Sequence, residues 1–167
     1  MYDLYNSTNG EAWLWRPNTT EHGARWNFTS PNNNPCEDQW QGINCTTLDA
    51  SGYRHIHSIE LSQYGMHGRL PSSLSQLANL SVLFLPSNAL TGPVPPSLGE
   101  LSHLRVLDLS INAFSGVIPA SLGSLGNLDG LYLYSNALSH TLPASIGNLT
   151  LLTDLYVEHN LLTGTIP

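Results

Sequence analysis

Histidines, cysteines, tyrosines and carboxylates are the side chains in this chain that could bind or transform another molecule. Seven histidines (His22, His55, His57, His67, His103, His140 and His159) are scattered through 167 residues. None belongs to an HExxH pair and none has a carboxylate at a metal-ligand offset, so the spacing implies no metal centre. His55 and His57 would project from one face of a strand and could touch a metal together, but the pair reads better as ordinary surface. No G-x-S-x-G, no phosphate-cradling glycine loop and no Cys/His nucleophile pair is present. No catalytic, cofactor-binding or metal-ligating residue is therefore assigned, and the chain is read as a non-enzyme that takes no cofactor.

Charge narrows the partners further. Five arginines, no lysine and twelve carboxylates give a formal net charge of -7. That balance repels phosphate backbones and anionic headgroups, so nucleic acid and acidic membrane surfaces are poor partners. No run of 18 or more apolar residues is available to span a bilayer. The opening MYDLYNSTNG has neither a basic nor an apolar leader region, so a secreted form would have lost its signal peptide before this start. Asn-x-Ser/Thr occurs at Asn6, Asn18, Asn27, Asn44, Asn79 and Asn148, more often than chance pairing of these residue types gives. This density suits a chain that carries N-linked glycans and lives outside the cell, secreted or as a surface ectodomain.

The elements that position these residues are set by a period. Pro71, Pro95, Pro119, Pro143 and Pro167 stand 24 residues apart. Within each interval Leu80, Leu104, Leu128 and Leu152 open a short segment. The pairs Leu83/Leu85, Leu107/Leu109, Leu131/Leu133 and Leu155/Val157 follow, with the period-2 spacing of a strand buried on one face. Asn88, Asn112, Asn136 and Asn160 come three residues later. An earlier, degraded turn has Ile59 and Leu61 as its strand pair and Tyr64 where asparagine is expected. Fixed offsets recurring together mark stacked turns, each supplying one strand to a parallel sheet. The asparagine amide both donates and accepts, so the column predicts a buried ladder that satisfies backbone groups between turns. Gly68, Gly92, Gly116 and Gly164 suit a tight bend, and His140 interrupts that series, predicting local distortion of its turn. Segments such as SLGELSHL suit short 3₁₀ turns on the opposite side.

Alternation then assigns a face. With the leucine pairs inward, Glu60, Phe84, Asp108, Tyr132 and Tyr156 form one outward column. Val82, Val106, Gly130 and Asp154 flank it on one side. Pro86, Ser110, Tyr134 and Glu158 flank it on the other, followed by Ser87, Ile111, Ser135 and His159. Exposed aromatics beside acids are expected of a contact surface, although strands favour aromatics for their own sake. The expected contacts are Glu60, Phe84, Asp108, Tyr132, Tyr134, Asp154, Tyr156, Glu158 and His159.

Residues 1–55 lack the period and hold all four tryptophans (Trp13, Trp15, Trp26, Trp40) and both cysteines; residues 56–167 are the repeats. LYNSTNGEAW reads as a short helix broken at Asn9-Gly10. A first strand left bare would be an open edge, so this segment is expected to cap it, with the aromatics as cover and sugar stacking as a minor alternative. The repeat LxxLxxLxLxxNxLTGxIP resembles the plant-type extracellular leucine-rich repeats. PCEDQWQGINC is similar to that family's N-terminal cap, in which a Cys pair (here Cys36 and Cys45) encloses Trp40, Gly42 and Ile43. The opening LYNSTNG followed by tryptophan looks more like cap variants of algae, other protists and some bacteria. The resemblance implies an α/β repeat solenoid, a right-handed superhelix with a concave parallel sheet. It also implies 3₁₀ and extended segments on the convex side, and a helical cap pinned by a Cys36–Cys45 disulfide.

The expected function is recognition of a protein, peptide or polysaccharide through the concave face. The alternatives are a self-assembling glycoprotein of a wall, matrix or fibre, and an inhibitor of a secreted hydrolase. Leu155, Val157, Leu161 and Ile166 are expected to face a further turn or another subunit, so homo-assembly through that end is a possible partner mode.

Overall fold

The computed structural model describes residues 1–30 and 32–166; Pro31 and the fifth periodic proline, Pro167, lie outside the described residues. Two helices open the chain, α1 (Tyr2–Ser7) and α2 (Thr19–His22). Strands follow as β1 (Ile43–Cys45), β2 (Ile56–Glu60), β3 (His67–Gly68), β4 (Val82–Phe84), β5 (Ala89–Gly92) and β6 (Val106–Asp108). The remainder are β7 (Ala113–Val117), β8 (Gly130–Tyr132), β9 (Ala137–His140), β10 (Asp154–Tyr156) and β11 (Leu161–Leu162). A sheet in the order β1-β2-β4-β6-β8-β10 forms the concave side, and a second in the order β3-β5-β7-β9-β11 runs beside it. All neighbours are parallel except β1 and β2. Short 3₁₀ turns at Ser72–Gln76, Pro96–Glu100, Ala120–Ser124 and Ala144–Asn148 close each coil on the convex side.

Periodicity and packing agree residue by residue. The register Ile59↔Leu83↔Leu107↔Leu131↔Leu155 places one inward position of each turn over the next. Leu83, Leu85, Leu107, Leu109, Leu131 and Leu133 are fully buried, as are the strand-opening Leu80, Leu104 and Leu128. Pro71, Pro95, Pro119 and Pro143 stand immediately before the 3₁₀ turns. Their carbonyls accept from the N–H groups of Leu74, Leu98, Leu122 and Ile146. The restricted φ of proline presets the extended approach to such a turn.

The asparagines are bonded in a repeating way. Asn112 Nδ2 donates to Leu85 O of the preceding turn at 3.0 Å and to Leu109 O and Ser110 O of its own. Its Oδ1 accepts from Leu90 N at 3.0 Å. Asn88, Asn136 and Asn160 repeat the arrangement, accepting from Met66 N, Phe114 N and Leu138 N. A second column went unread in the sequence. Ser97, Ser121 and Ser145 donate from Oγ to the carbonyls of Ser72, Pro96 and Ala120 on the preceding convex turn. Ser73, which has no preceding turn, donates to Asp3 of α1 instead.

His140 does not distort its turn. It adopts φ +70°, beside +78° at Gly92, +83° at Gly116 and +84° at Gly164. β9 keeps its register with β7 and β11. The histidine therefore carries a left-handed backbone that costs an L-residue roughly 1–2 kcal/mol, and the neighbouring ladders hold it there.

The cap covers both sheets. β1 adds an antiparallel strand to β2, a feature absent from the expected all-parallel sheet. Gly42 makes the approach possible: it has φ +71°, and a Cβ there would lie 2.4 Å from Glu60 O. At the second sheet, Ser7 O and Thr8 O accept from Arg69 N and His67 N beside β3. The Cys36–Cys45 disulfide, with Cα atoms 5.7 Å apart, ties the loop before Trp40 to the end of β1. Trp13, Trp26 and Trp40 are buried, so they are core and not a sugar platform. Trp26 packs edge-on against Trp13 at 4.9 Å and stacks on Trp40 at 5.8 Å. The indole N–H of Trp13 donates to Thr8 O and that of Trp26 to Gln41 O.

Candidate functional site on the concave sheet

The outward column assembles as the register requires, Glu60↔Phe84↔Asp108↔Tyr132↔Tyr156. Its last two rings lie parallel, with centroids 5.4 Å apart and planes 11° from each other. Phe84, Val106, Asp108, Tyr132, Tyr134, Asp154, Tyr156 and Glu158 line one open groove of about 520 Å³. Phe84 also belongs to a neighbouring depression lined by Arg16, His22, Glu60, Ser62 and Tyr64 at the cap end. Glu60 thus falls in that depression, while His159 lies exposed beyond Glu158 with φ +55°. Of the expected contacts, seven share the groove and two do not.

Four outward positions, Pro86, Asp108, Ser110 and Gly130, are deeper than alternation implies. Asp108 is only 7% exposed, and its Oδ1 accepts from both Ser110 N at 2.9 Å and Ser110 Oγ at 2.6 Å. Ser110 is fully buried by the same contact. A small side chain between the larger Phe84 and Tyr132 on adjacent strands forms the groove floor. Asp108 is therefore a recessed carboxylate and not a protruding contact.

Gly130, which alternation placed only as a flank of the column, shapes the site in a way the pattern did not show. It stands where other turns carry Val82, Val106 and Asp154, and a Cβ there would lie 2.7 Å from Cε2 of Tyr132. The missing side chain lets the Tyr132 ring lie back over β8, where it meets Tyr156. The only signal available was one glycine in a column of larger residues. Burial pushes the Tyr132 phenol up from its ordinary value, and the charges of Asp154, Tyr156, Asp108 and Asp129 add to the effect. Nearby Arg105 is already paired with Asp129. The groove thus combines flat aromatic surface with uncompensated negative potential.

At the rim, Ile111 has φ +53° and is 45% exposed. A β-branched residue rarely adopts that backbone. His55, one of the paired histidines, is committed elsewhere: its Nε2 lies 2.8 Å from Asp49 Oδ2. All six sequon asparagines are exposed, but their side chains differ. Asn18 caps α2 by accepting from Glu21 N, and Asn27 accepts from Thr29 N and Oγ1. Asn44 donates to Ser58 Oγ and Glu60 Oε1.

Stacked coils, a parallel concave sheet and convex 3₁₀ turns define a repeat solenoid with one open, lined face. The family model described as leucine rich repeat matches residues 102–162. The leucine-rich-repeat ectodomain of the receptor kinase SOBIR1 from Arabidopsis thaliana is 34% identical over 80% of this chain and 73% of that chain, with a TM-score of 0.73. The BIR3–SERK2 complex from the same plant is matched at 27% identity over 100% of this chain and 86% of that chain, with a TM-score of 0.78. The plant peptide hormone receptor RGFR1, in complex with RGF2, is matched at 35% identity over 65% of this chain and 17% of that chain, with a TM-score of 0.64. Comparison with curated protein sequences finds no match. The chain belongs to the leucine-rich-repeat family.

Proposed function

We propose that this chain is an extracellular recognition module that holds a protein or peptide partner against the concave face of its full repeats. The groove floored by Asp108 and walled by Phe84, Tyr132, Tyr134 and Tyr156 carries the reading. Phe84, Tyr132 and Tyr134 are half-buried and Tyr156 exposed, and such rings, held by the sheet, give a partner large contact area at low entropic cost. A receptor-kinase ectodomain of the same fold, and a peptide hormone receptor solved in complex with RGF2, support this use of the scaffold. The disulfide and the exposed sequons support a location outside the cell. N-linked glycans are assigned to Asn18, Asn27 and Asn148. Asn44 is left out because its sequon contains Cys45, which the disulfide holds, and its amide is tied to Ser58 on the neighbouring strand β2.

A random dodecapeptide display library, selected on the folded chain and counter-selected on the Tyr132→Ala/Tyr156→Ala variant, tests the face. The expected result is a set of peptides that bind the parent chain and not the variant. The variant itself should keep its fold within about 1 kcal/mol, because both rings lie on the solvent side of the sheet. Peptides that bind both proteins equally would place recognition elsewhere.

A further inference from the structure

We infer that the partner segment seated in this groove presents a cationic side chain, with arginine preferred, to the Tyr132–Tyr156 pair and the carboxylates around it. The inference rests on the concave-face reading and adds the chemistry of the occupant. Asp154 stands beside Gly130 in the register, at the edge of the Tyr132 ring, and Glu158 lies two residues beyond Tyr156. Asp108 contributes a recessed carboxylate: Ser110 holds Oδ1, and Oδ2, to which no described residue donates, is left open to solvent. The groove lining has no arginine, lysine or histidine. The chain has no lysine to supply, and the nearby Arg105 is held by Asp129.

Charge complementarity selects among occupants. An acidic segment would meet three carboxylates without a counter-charge. A neutral apolar segment would strip water from those carboxylates and return nothing, which is the costly way to bury a charge. A cation offsets both penalties. The two nearly parallel tyrosine rings offer a flat electron-rich surface, and a planar guanidinium can stack there while donating to carboxylates at its edge. An ammonium would make the ion pairs without the planar fit. Burial is the first cause of the raised Tyr132 phenol, and Asp154 and Asp108 of the groove add to it.

The probe is a capped heptapeptide of glycine and serine with one central arginine, compared with the same peptide carrying citrulline, which keeps the shape and loses the charge. Both are titrated into the folded chain while the ring resonances of Tyr132 and Tyr156 are followed by NMR. The arginine peptide should shift those resonances saturably and bind about tenfold or more tighter than its citrulline twin. That preference should vanish in Asp154→Asn/Glu158→Gln, whose melting curve serves as the fold control, and should shrink as salt rises. Equal binding of the two peptides, binding of neither, or an undiminished preference in the variant overturns the inference. Library peptides that depend on the two tyrosines but show no enrichment in basic residues would leave the concave face standing and remove the cation alone.

Discussion

In the repeats the asparagine and serine bonds between turns recur at constant offsets, whereas the contacts that hold the cap follow no period. Asn88, Asn112, Asn136 and Asn160 each reach 27 residues back to a carbonyl and accept from an N–H 22 residues back. The cap instead converges on single hubs. Gln41, fully buried, donates from Nε2 to Arg16 O and Gly23 O, and its Oε1 accepts from Arg16 N and Tyr64 Oη. Tyr64 occupies the place of the missing first asparagine, so one glutamine joins the irregular segment to the first regular turn. A stack of repeats spreads its stability over neighbouring interfaces, and a cap concentrates it in a few residues. Damage should therefore be graded in the repeats and abrupt in the cap.

The largest expected effect is at that hub. Gln41→Leu removes the partner of two carbonyls, an amide and a phenol; the two groups of exposed Arg16 can turn to water, and the Gly23 carbonyl and Tyr64 phenol, at about 1–3 kcal/mol each, should together cost about 2–6 kcal/mol. Urea melts would register it, and hydrogen exchange should show residues 1–45 losing protection before β6 to β10. Uniform loss along the chain would erase the distinction between cap and repeats. Reduction of the Cys36–Cys45 bond comes next. Closing so short a loop stabilises by roughly 2.5–3 kcal/mol in the chain-entropy account. Thermal melts with and without reductant should differ by that amount, with the cap opening first.

Asn112→Ala should cost about 1–3 kcal/mol, because three carbonyls and the Leu90 amide lose a common partner. Its exchange signature should be confined to the turns on either side; protection lost at Trp26 or Trp40 would show that the ladder and cap are one cooperative unit. The smallest effect runs the other way. His140→Gly restores the residue type found at Gly92, Gly116 and Gly164, relieves a left-handed backbone, and should stabilise by up to about 1 kcal/mol. A lower melting temperature would mean that the Ser139–His140 side-chain contact outweighs the relief.

These contrasts follow how much could be read in advance. The inward leucines, the parallel stack and the asparagine positions were legible because a solenoid joins residues at constant sequence separation, which a single chain displays as a period. The serine column at Ser97, Ser121 and Ser145 has the same period, but a lone hydroxyl every 24 residues resembles ordinary surface. Cap contacts such as Gln41 to Arg16, Gly23 and Tyr64 obey no period. Composition indicated an aromatic cover there but not the antiparallel β1.

At the groove the division is finer. Alternation by itself placed Glu60, Phe84, Asp108, Tyr132 and Tyr156 on one face, because successive side chains of a strand must point to opposite sides. It could not assign depth, which depends on the bulk of neighbours on two other strands. The sequence alone determined which residues share the concave face. Tertiary packing alone sank Asp108 between Phe84 and Tyr132, laid the Tyr132 ring over Gly130 against Tyr156, and moved Glu60 into the cap-end depression, since each of these is settled by side chains brought together across turns.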